Sequence, residues 1–361
     1  GSTDTSANLT LNEVQGNAGV NLAVTGTLVA TLDIATTGAA TSIGTLNSDA
    51  ALTTVNVSGD QDLTIIDVLK TTVTTVGAST FTGDLTLVTA QVAQAVDTGT
   101  GDDVITIGST STIATVTTGD GADTVTVTAN TTGAQNINLG TGDDIVVATE
   151  AQVTATDTLT GGEGTDTLAL ILANSDDFNT DVSAVVTGFE SIDARVATGA
   201  AAATISLAST GLSVTDFTFT AGDEDADLAV TGVLAASKFT VAAGSASGNL
   251  TTTLATTTAT DTQTLAYTGG SLLTGLATLN SIETVNLELG ATTASTPVGT
   301  TVHATTGGLA NPLISTLEAL ASIVCIILSL FLVVIIPLIL VFLIWVAIKY
   351  IMKRNNQVDS V

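Results

Sequence analysis

Between residues 97 and 170 one phrase keeps returning: Gly-x-Gly-x-Asp-x-apolar. It stands as TGTGDDVI from Thr98, TGDGADTV from Thr118, LGTGDDIV from Leu139 and GGEGTDTL from Gly161. The glycine pairs are Gly99 and Gly101, Gly119 and Gly121, Gly140 and Gly142, and Gly162 and Gly164. The aspartates are Asp103, Asp123, Asp144 and Asp166, separated by 20, 21 and 22 residues. Two residues after each comes Ile105, Val125, Val146 or Leu168. A phrase returning at so steady an interval implies one structural unit per interval, each leaning on its neighbours.

The rest of the body supports a stacked β-structure. Thr, Ala, Gly, Val and Leu carry nearly all of it, and β-branched residues suit a pleated surface. Before residue 300 there is no Trp, one Tyr (Tyr267) and six Phe, so a compact globular core would be weak. Residues 1–96 show short alternating runs such as NLTLNEV, TVNVSG and GDLTLV, bounded by turn residues. Residues 171–290 return to similar runs. There GFESIDARV (188–196) and LNSIETVNLEL (279–289) share a Ser-Ile-acidic pattern, which suggests a duplicated strand unit. The expected class is all-β, a parallel β-solenoid at 97–170 flanked by β-rich domains at 1–96 and 171–290. A Thr/Gly/Pro stalk at 291–310 is expected to follow.

The repeated phrase has a chemical logic. Its glycines allow backbone conformations that aim carbonyls toward a common point, and the aspartate adds a carboxylate. Hard oxygen ligands suit Ca²⁺, which takes six to eight of them. One corner cannot complete that shell, but stacked corners can. Four corners leave three gaps, so up to three Ca²⁺ ions in a row are expected. Asp102 and Asp143, one residue before the ligand aspartates, either add ligands or face solvent. The competing reading is plain Asp-Gly turns between strands. Asp60, Asp62, Asp84 and the run Asp223, Glu224, Asp225, Asp227 are weaker candidates of the same kind.

The phrases resemble the repeats-in-toxin nonapeptide G-G-x-G-x-D-x-U-x, whose family forms a calcium-bound parallel β-roll. Three of the four copies have Thr98, Thr118 or Leu139 where that family has its first Gly, and they recur near every 20 residues rather than every nine. Only one edge of the coil would then carry the motif, the other being plain Thr-rich turn. More widely, TTVNVSGDQDLTI, VTTVGASTFTGDLTL and GFESID are similar to the Thr-rich strands of bacterial surface-layer proteins. That resemblance implies a self-associating subunit, rigidified and bridged into a lattice by calcium.

Charge and residue supply narrow the function classes. There are 34 acidic residues against 6 basic ones, for a net charge of -28. Such a chain repels nucleic acid. Catalysis is not expected. The only histidine is His303, in the stalk, and the only cysteine is Cys325, so neither a nucleophilic triad nor a zinc set can be assembled. A paired-carboxylate glycosidase would need an aromatic-lined cleft, which this body cannot furnish. No small-molecule substrate is expected.

The C-terminal part is different in kind. Ala319–Ile348 holds no charged residue and would span ~45 Å as a helix, against a hydrocarbon core of ~30 Å. Pro337 would kink it; Trp345, Lys349, Tyr350, Lys353 and Arg354 would mark the interface. A transmembrane helix over 311–350 is expected, with a cytoplasmic tail at 351–361 and the body outside the cell. The chain opens on Gly1-Ser2 with no visible leader, so a secretory leader is expected to have been removed. The sequence thus predicts a structural, surface-layer-like protein, calcium-stiffened, homo-oligomeric and held by one membrane helix. The alternative is a membrane-tethered adhesin or viral spike.

Overall fold

The computed structural model describes residues 4–14, 21–25, 27–48, 51–90, 93–108, 114–128, 133–172, 177–178, 186–196, 202–207, 212–221, 227–242, 249–257, 260–267, 277–289, 302–305, 342–346 and 349. The chain divides into two compact units, Gly1–Thr305 and Thr306–Val361.

The first unit is a parallel β-solenoid. Ala114–Asp120 pairs with Gln135–Thr141 and then Thr158–Glu163 in one wall. Thr124–Val127, Ile145–Thr149 and Thr167–Leu172 do the same in the wall opposite. The chain crosses from wall to wall and returns one rung higher. A parallel pair needs a connection of a dozen or more residues, and here the opposite wall's strand serves as that connection. One full circuit takes 20 to 22 residues here, which is the interval between the repeated phrases.

The wall of Thr124–Val127 is continuous over twelve strands, from Thr41–Ile43 to Thr284–Leu289. It runs without a break across residues 96 and 170, where the sequence suggests domain boundaries. Its partner wall changes along the way. A nine-stranded sheet faces it from Ser6–Asn12 to Val186–Thr187, and a six-stranded sheet takes over from Asp177–Phe178 to Val302–Thr305. Both sheets contribute a strand to the coil at 177–187. Val302–Thr305, expected within a stalk, pairs in parallel with Ala277–Asn280, setting His303 beside Thr278.

The core follows from period-two alternation. In Thr124-Val125-Thr126-Val127 the valines are buried and the threonines half-buried. Because the register holds from rung to rung, like residues stack. Phe217 and Phe239, adjacent in the twelve-stranded wall, lie with ring centroids 4.7 Å apart and planes 6° from parallel. The centroid distance matches the ~4.8 Å spacing of neighbouring strands. One apolar cluster runs from Leu11 to Ala277. Small residues suffice because each is covered from above and below.

The second unit corrects an expectation. Residues 342–346 are helical, with Lys349 Nζ 4.8 Å from the Trp345 ring centroid. Among the described residues no helix is long and apolar enough to cross a membrane. That finding overturns the expected transmembrane helix, the membrane as partner through Ala319–Ile348, and the single-pass topology with an outside body. The remainder of 311–350, Cys325 included, lies outside the described residues. Among the described residues the class is therefore all-β, a parallel solenoid, and no membrane-crossing helix is found.

Phe239→Ala should destabilise the first unit by about 3–5 kcal/mol, because it removes a fully buried ring that stacks on the rung below. Equilibrium chemical denaturation measures this, and a loss under about 1 kcal/mol would mean that the rungs do not share one packed core.

Candidate functional site

All twelve residues singled out in the repeated phrase lie along one edge of the solenoid, where the nine-stranded wall turns into the twelve-stranded one. Gly119, Gly140 and Gly162 are in register on three successive rungs. Thr124, Ile145 and Thr167 are in register just past the corner, which stacks Asp123, Asp144 and Asp166. Asp103 precedes Val104, the partner of Thr124, and joins the same column.

The glycines are needed for close approach and for handedness. Gly142 has φ +140°, and a Cβ there would lie 1.7 Å from the Gly121 carbonyl oxygen. Gly121, one rung below, has φ +141° and would meet the Gly101 carbonyl oxygen at 2.2 Å. Neither conformation nor space admits a side chain.

The aspartates do not converge on a common point. Each side chain reaches along the coil axis to a backbone N–H on the preceding rung. Leu85 N–H donates to Asp103 Oδ1 at 2.7 Å. Asp103 N–H donates to Asp123 Oδ1, and Asp123 N–H to Asp144 Oδ1, both at 2.7 Å. Asp144 N–H donates to Asp166 Oδ1 at 3.0 Å. Asp166 N–H ends the series on Glu190 Oε2 at 3.0 Å. All four aspartates are fully buried.

A second row, exposed to solvent, runs the other way. Asp84 N–H donates to Asp62 Oδ1 at 3.1 Å, and Asp102 N–H to Asp84 Oδ1 at 2.8 Å. Ala122 N–H donates to Asp102 Oδ1, and Thr165 N–H to Asp143 Oδ1, each at 2.8 Å. So Asp62, Asp84, Asp102 and Asp143 accept from the rung above, and the buried aspartates accept from the rung below. Consecutive N–H groups at the turn point in opposite axial directions, and a carboxylate meets most of them, the exposed row being interrupted at Ala122.

The sequence reading missed the end of the buried row. Its signal was present. Glu190 follows buried Phe189 and precedes strand Ser191–Val196, and Glu283 follows buried Ile282 and precedes strand Thr284–Leu289. Asp261 N–H donates to Glu283 Oε2 at 2.9 Å, as Asp166 does to Glu190. The duplicated unit is therefore Phe189-Glu190-Ser191-Ile192 matched to Ile282-Glu283-Thr284-Val285, an alignment three residues away from the one that pairs the two Ser-Ile phrases.

The other edge is not plain turn. Buried Gln94 accepts Ala90 N–H at 2.6 Å and donates to the Val73 carbonyl one rung below. Asp157 Oδ1 accepts Gln135 N–H at 2.6 Å, and Gln152 donates to the Thr128 carbonyl. Of the weaker acidic candidates, Asp60 accepts from the Gln61 side chain at 3.1 Å and Asp227 accepts Asn249 N–H at 2.7 Å. Asp223, Glu224 and Asp225 lie outside the described residues.

Calcium asks for six to eight oxygens, and the corner does not supply them. Oδ1 of each buried aspartate already accepts an N–H. The Asp103, Asp123 and Asp144 carbonyls accept Thr124, Ile145 and Thr167 N–H at 2.7–2.8 Å, and the Gly99 carbonyl accepts Asp120 N–H at 3.0 Å. What remains on each buried side chain is Oδ2, which has no partner. Among the described residues no group of three or more His, Cys, Asp or Glu could hold a metal ion. The expected calcium-stiffened, membrane-anchored surface-layer function is corrected on these grounds, and among the described residues no membrane-crossing helix supplies the tether of the adhesin or spike alternative.

Electrostatics follow from the burial. Desolvation is the main reason why Asp103 and Asp144 are pushed up to about 6, from an ordinary value near 3.8. The Leu85 N–H, donating to Asp103 Oδ1, pulls Asp103 back, and the Asp123 and Asp84 charges push it further up. For Asp144 the Asp123 N–H pulls down, while Asp123, Asp166 and Asp143 push up. Asp123 and Asp166 are raised too, again chiefly by burial.

No family model, curated protein or solved structure matches this chain. The resemblance to surface-layer proteins with repeats-in-toxin motifs is thereby overturned as a family assignment. The parallel solenoid is compatible with such proteins, and nothing finer carries over.

Two outcomes follow. Gly142→Ala should cost at least about 1 kcal/mol in chemical denaturation, since it forces a side chain into a left-handed position against a carbonyl. The second concerns pH. The native row holds protons that the unfolded chain releases near 3.8, so stability falls as pH rises from about 4 to about 6 and levels off above. Melting should therefore come at a higher temperature at about pH 4.5 than at about pH 7.5. The reverse order would show that the row is not buried in the native state.

Proposed function

We propose that this chain is a non-catalytic structural protein whose solenoid serves as a rigid spacer. The observation that carries this reading is the unbroken twelve-stranded wall, whose register shifts just past Thr64 and holds across the described pairs from there to Asn286. From Thr64 to Asn286 one column of outward residues passes through ten strand steps, Thr86, Val104, Thr124, Ile145, Thr167, Ser191, Asp216, Lys238 and Thr264 between them. That column is about 48 Å long at strand spacing.

The disposition of the chemistry-bearing residues supports the same reading. At the acidic edge each carboxylate of the two rows serves a backbone N–H. Buried carboxylates with raised pKa values often mark catalytic sites. Here they stand in a uniform row, and among the described residues no cationic side chain bears on them. A device that only holds coils together needs nothing more.

Spin labels at Thr64→Cys and Asn286→Cys, in the full chain carrying Cys325→Ser, test the rigidity. A rigid spacer gives one narrow distance distribution centred near about 48 Å. A broad or multimodal distribution overturns the proposal.

A further inference from the structure

We propose that the Gly-x-Gly-x-Asp corner of this chain coheres without a metal ion, its carboxylates replacing the cation as the link between coils. In the phrase's chemistry as read from sequence, the cation joins neighbouring corners by gathering their oxygens. Here the joining is done by N–H donors. Five consecutive bonds, from Leu85 to Glu190, tie six rungs along the buried row. The exposed row adds four more in the opposite sense. Every inter-coil step from Asp84 to Asp166 is thus bonded by a side chain, and from both directions at most of them.

The donor set explains why no cation is needed. A cation bridge requires oxygens with free lone pairs aimed between rungs. The Asp carbonyls along the row accept strand N–H groups instead, and Oδ1 is engaged with the corner N–H, so each buried carboxylate leaves only Oδ2 without a partner. A hydrogen bond from an N–H to a carboxylate is stronger than one between neutral groups. The row also ends where hydrogen-bond logic says it should. Glu190 replaces Asp on the last rung and still delivers an oxygen to the Asp166 N–H, at 3.0 Å. Gln135 N–H is served by Asp157 Oδ1 on the opposite edge, 22 residues on, with no glycine pair ahead of that aspartate. The same capping thus recurs where the metal-type motif is absent.

Asparagine separates the two mechanisms. It keeps an Oδ1 acceptor for the corner N–H and removes the negative charge that a cation would require. Stacked Asn side chains also bond one another from rung to rung. Alanine removes the acceptor itself. In the full chain, with chelator present, Asp123→Asn/Asp144→Asn should melt at or above the parent temperature. Asp123→Ala/Asp144→Ala should melt several degrees lower. Calcium should leave the parent's melting unchanged and give no saturable heat on titration. A saturable calcium-dependent rise in the parent's melting temperature overturns the proposal, and so does an Asn variant as unstable as the Ala one. If either variant does not fold, the parent's calcium titration alone decides. The spin-label distances test the spacer reading separately, since a rigid rod is compatible with either kind of link.

Discussion

Every backbone N–H that turns a corner in a stacked coil must find an acceptor. Along the strands the next rung's carbonyls do this by register. At the corner successive N–H groups still face up and down the axis, but side-chain carboxylates rather than strand carbonyls accept them. Leaving one buried without a partner costs about as much as losing a hydrogen bond. This chain places a short carboxylate on each rung at the right height. Its length allows one oxygen to reach the neighbouring turn, and the glycines beside it let the turns come that close.

Much else follows from that constraint. The aspartates recur at the coil's circumference because each must sit above the last. They are buried because the N–H they serve is at the inner side of the turn. Burial raises their affinity for protons, and their mutual charge adds to it. Elsewhere on the solenoid neutral amides link the coils in another way, accepting a local N–H and donating to a carbonyl one coil below, as at Gln94 and Gln152. The choice of carboxylate or amide tracks the donor to be served: aspartate accepts only, while glutamine both accepts an N–H and donates to a carbonyl.

Several particulars were readable in the residues and several were not. The apolar positions Ile105, Val125, Val146 and Leu168 are buried on successive rungs, where period-two alternation puts them. Asp103, Asp123, Asp144 and Asp166 do stack on one edge. Their work could not be read, because an Asp after two glycines looks the same whether it meets a cation or an N–H. Glu190 and Glu283 were hidden by an alignment on serine and isoleucine, when the equivalent residues were the glutamates and the buried Phe189 and Ile282 before them. Gln94, Gln135, Gln152 and Asp157 carry no phrase at all; their loops vary in length while their bonds to the neighbouring coil do not.

By itself the sequence determined the β-class, the coil circumference and the placing of four aspartates on one edge, because each rests on a period, and a period is a one-dimensional property. The tertiary structure decided what those aspartates touch. It also decided that one wall continues past residues 96 and 170 while its partner changes, and that His303 belongs to a paired strand. These depend on which groups face one another across a gap of one rung. That is a matter of direction and distance, which spacing along the chain does not contain.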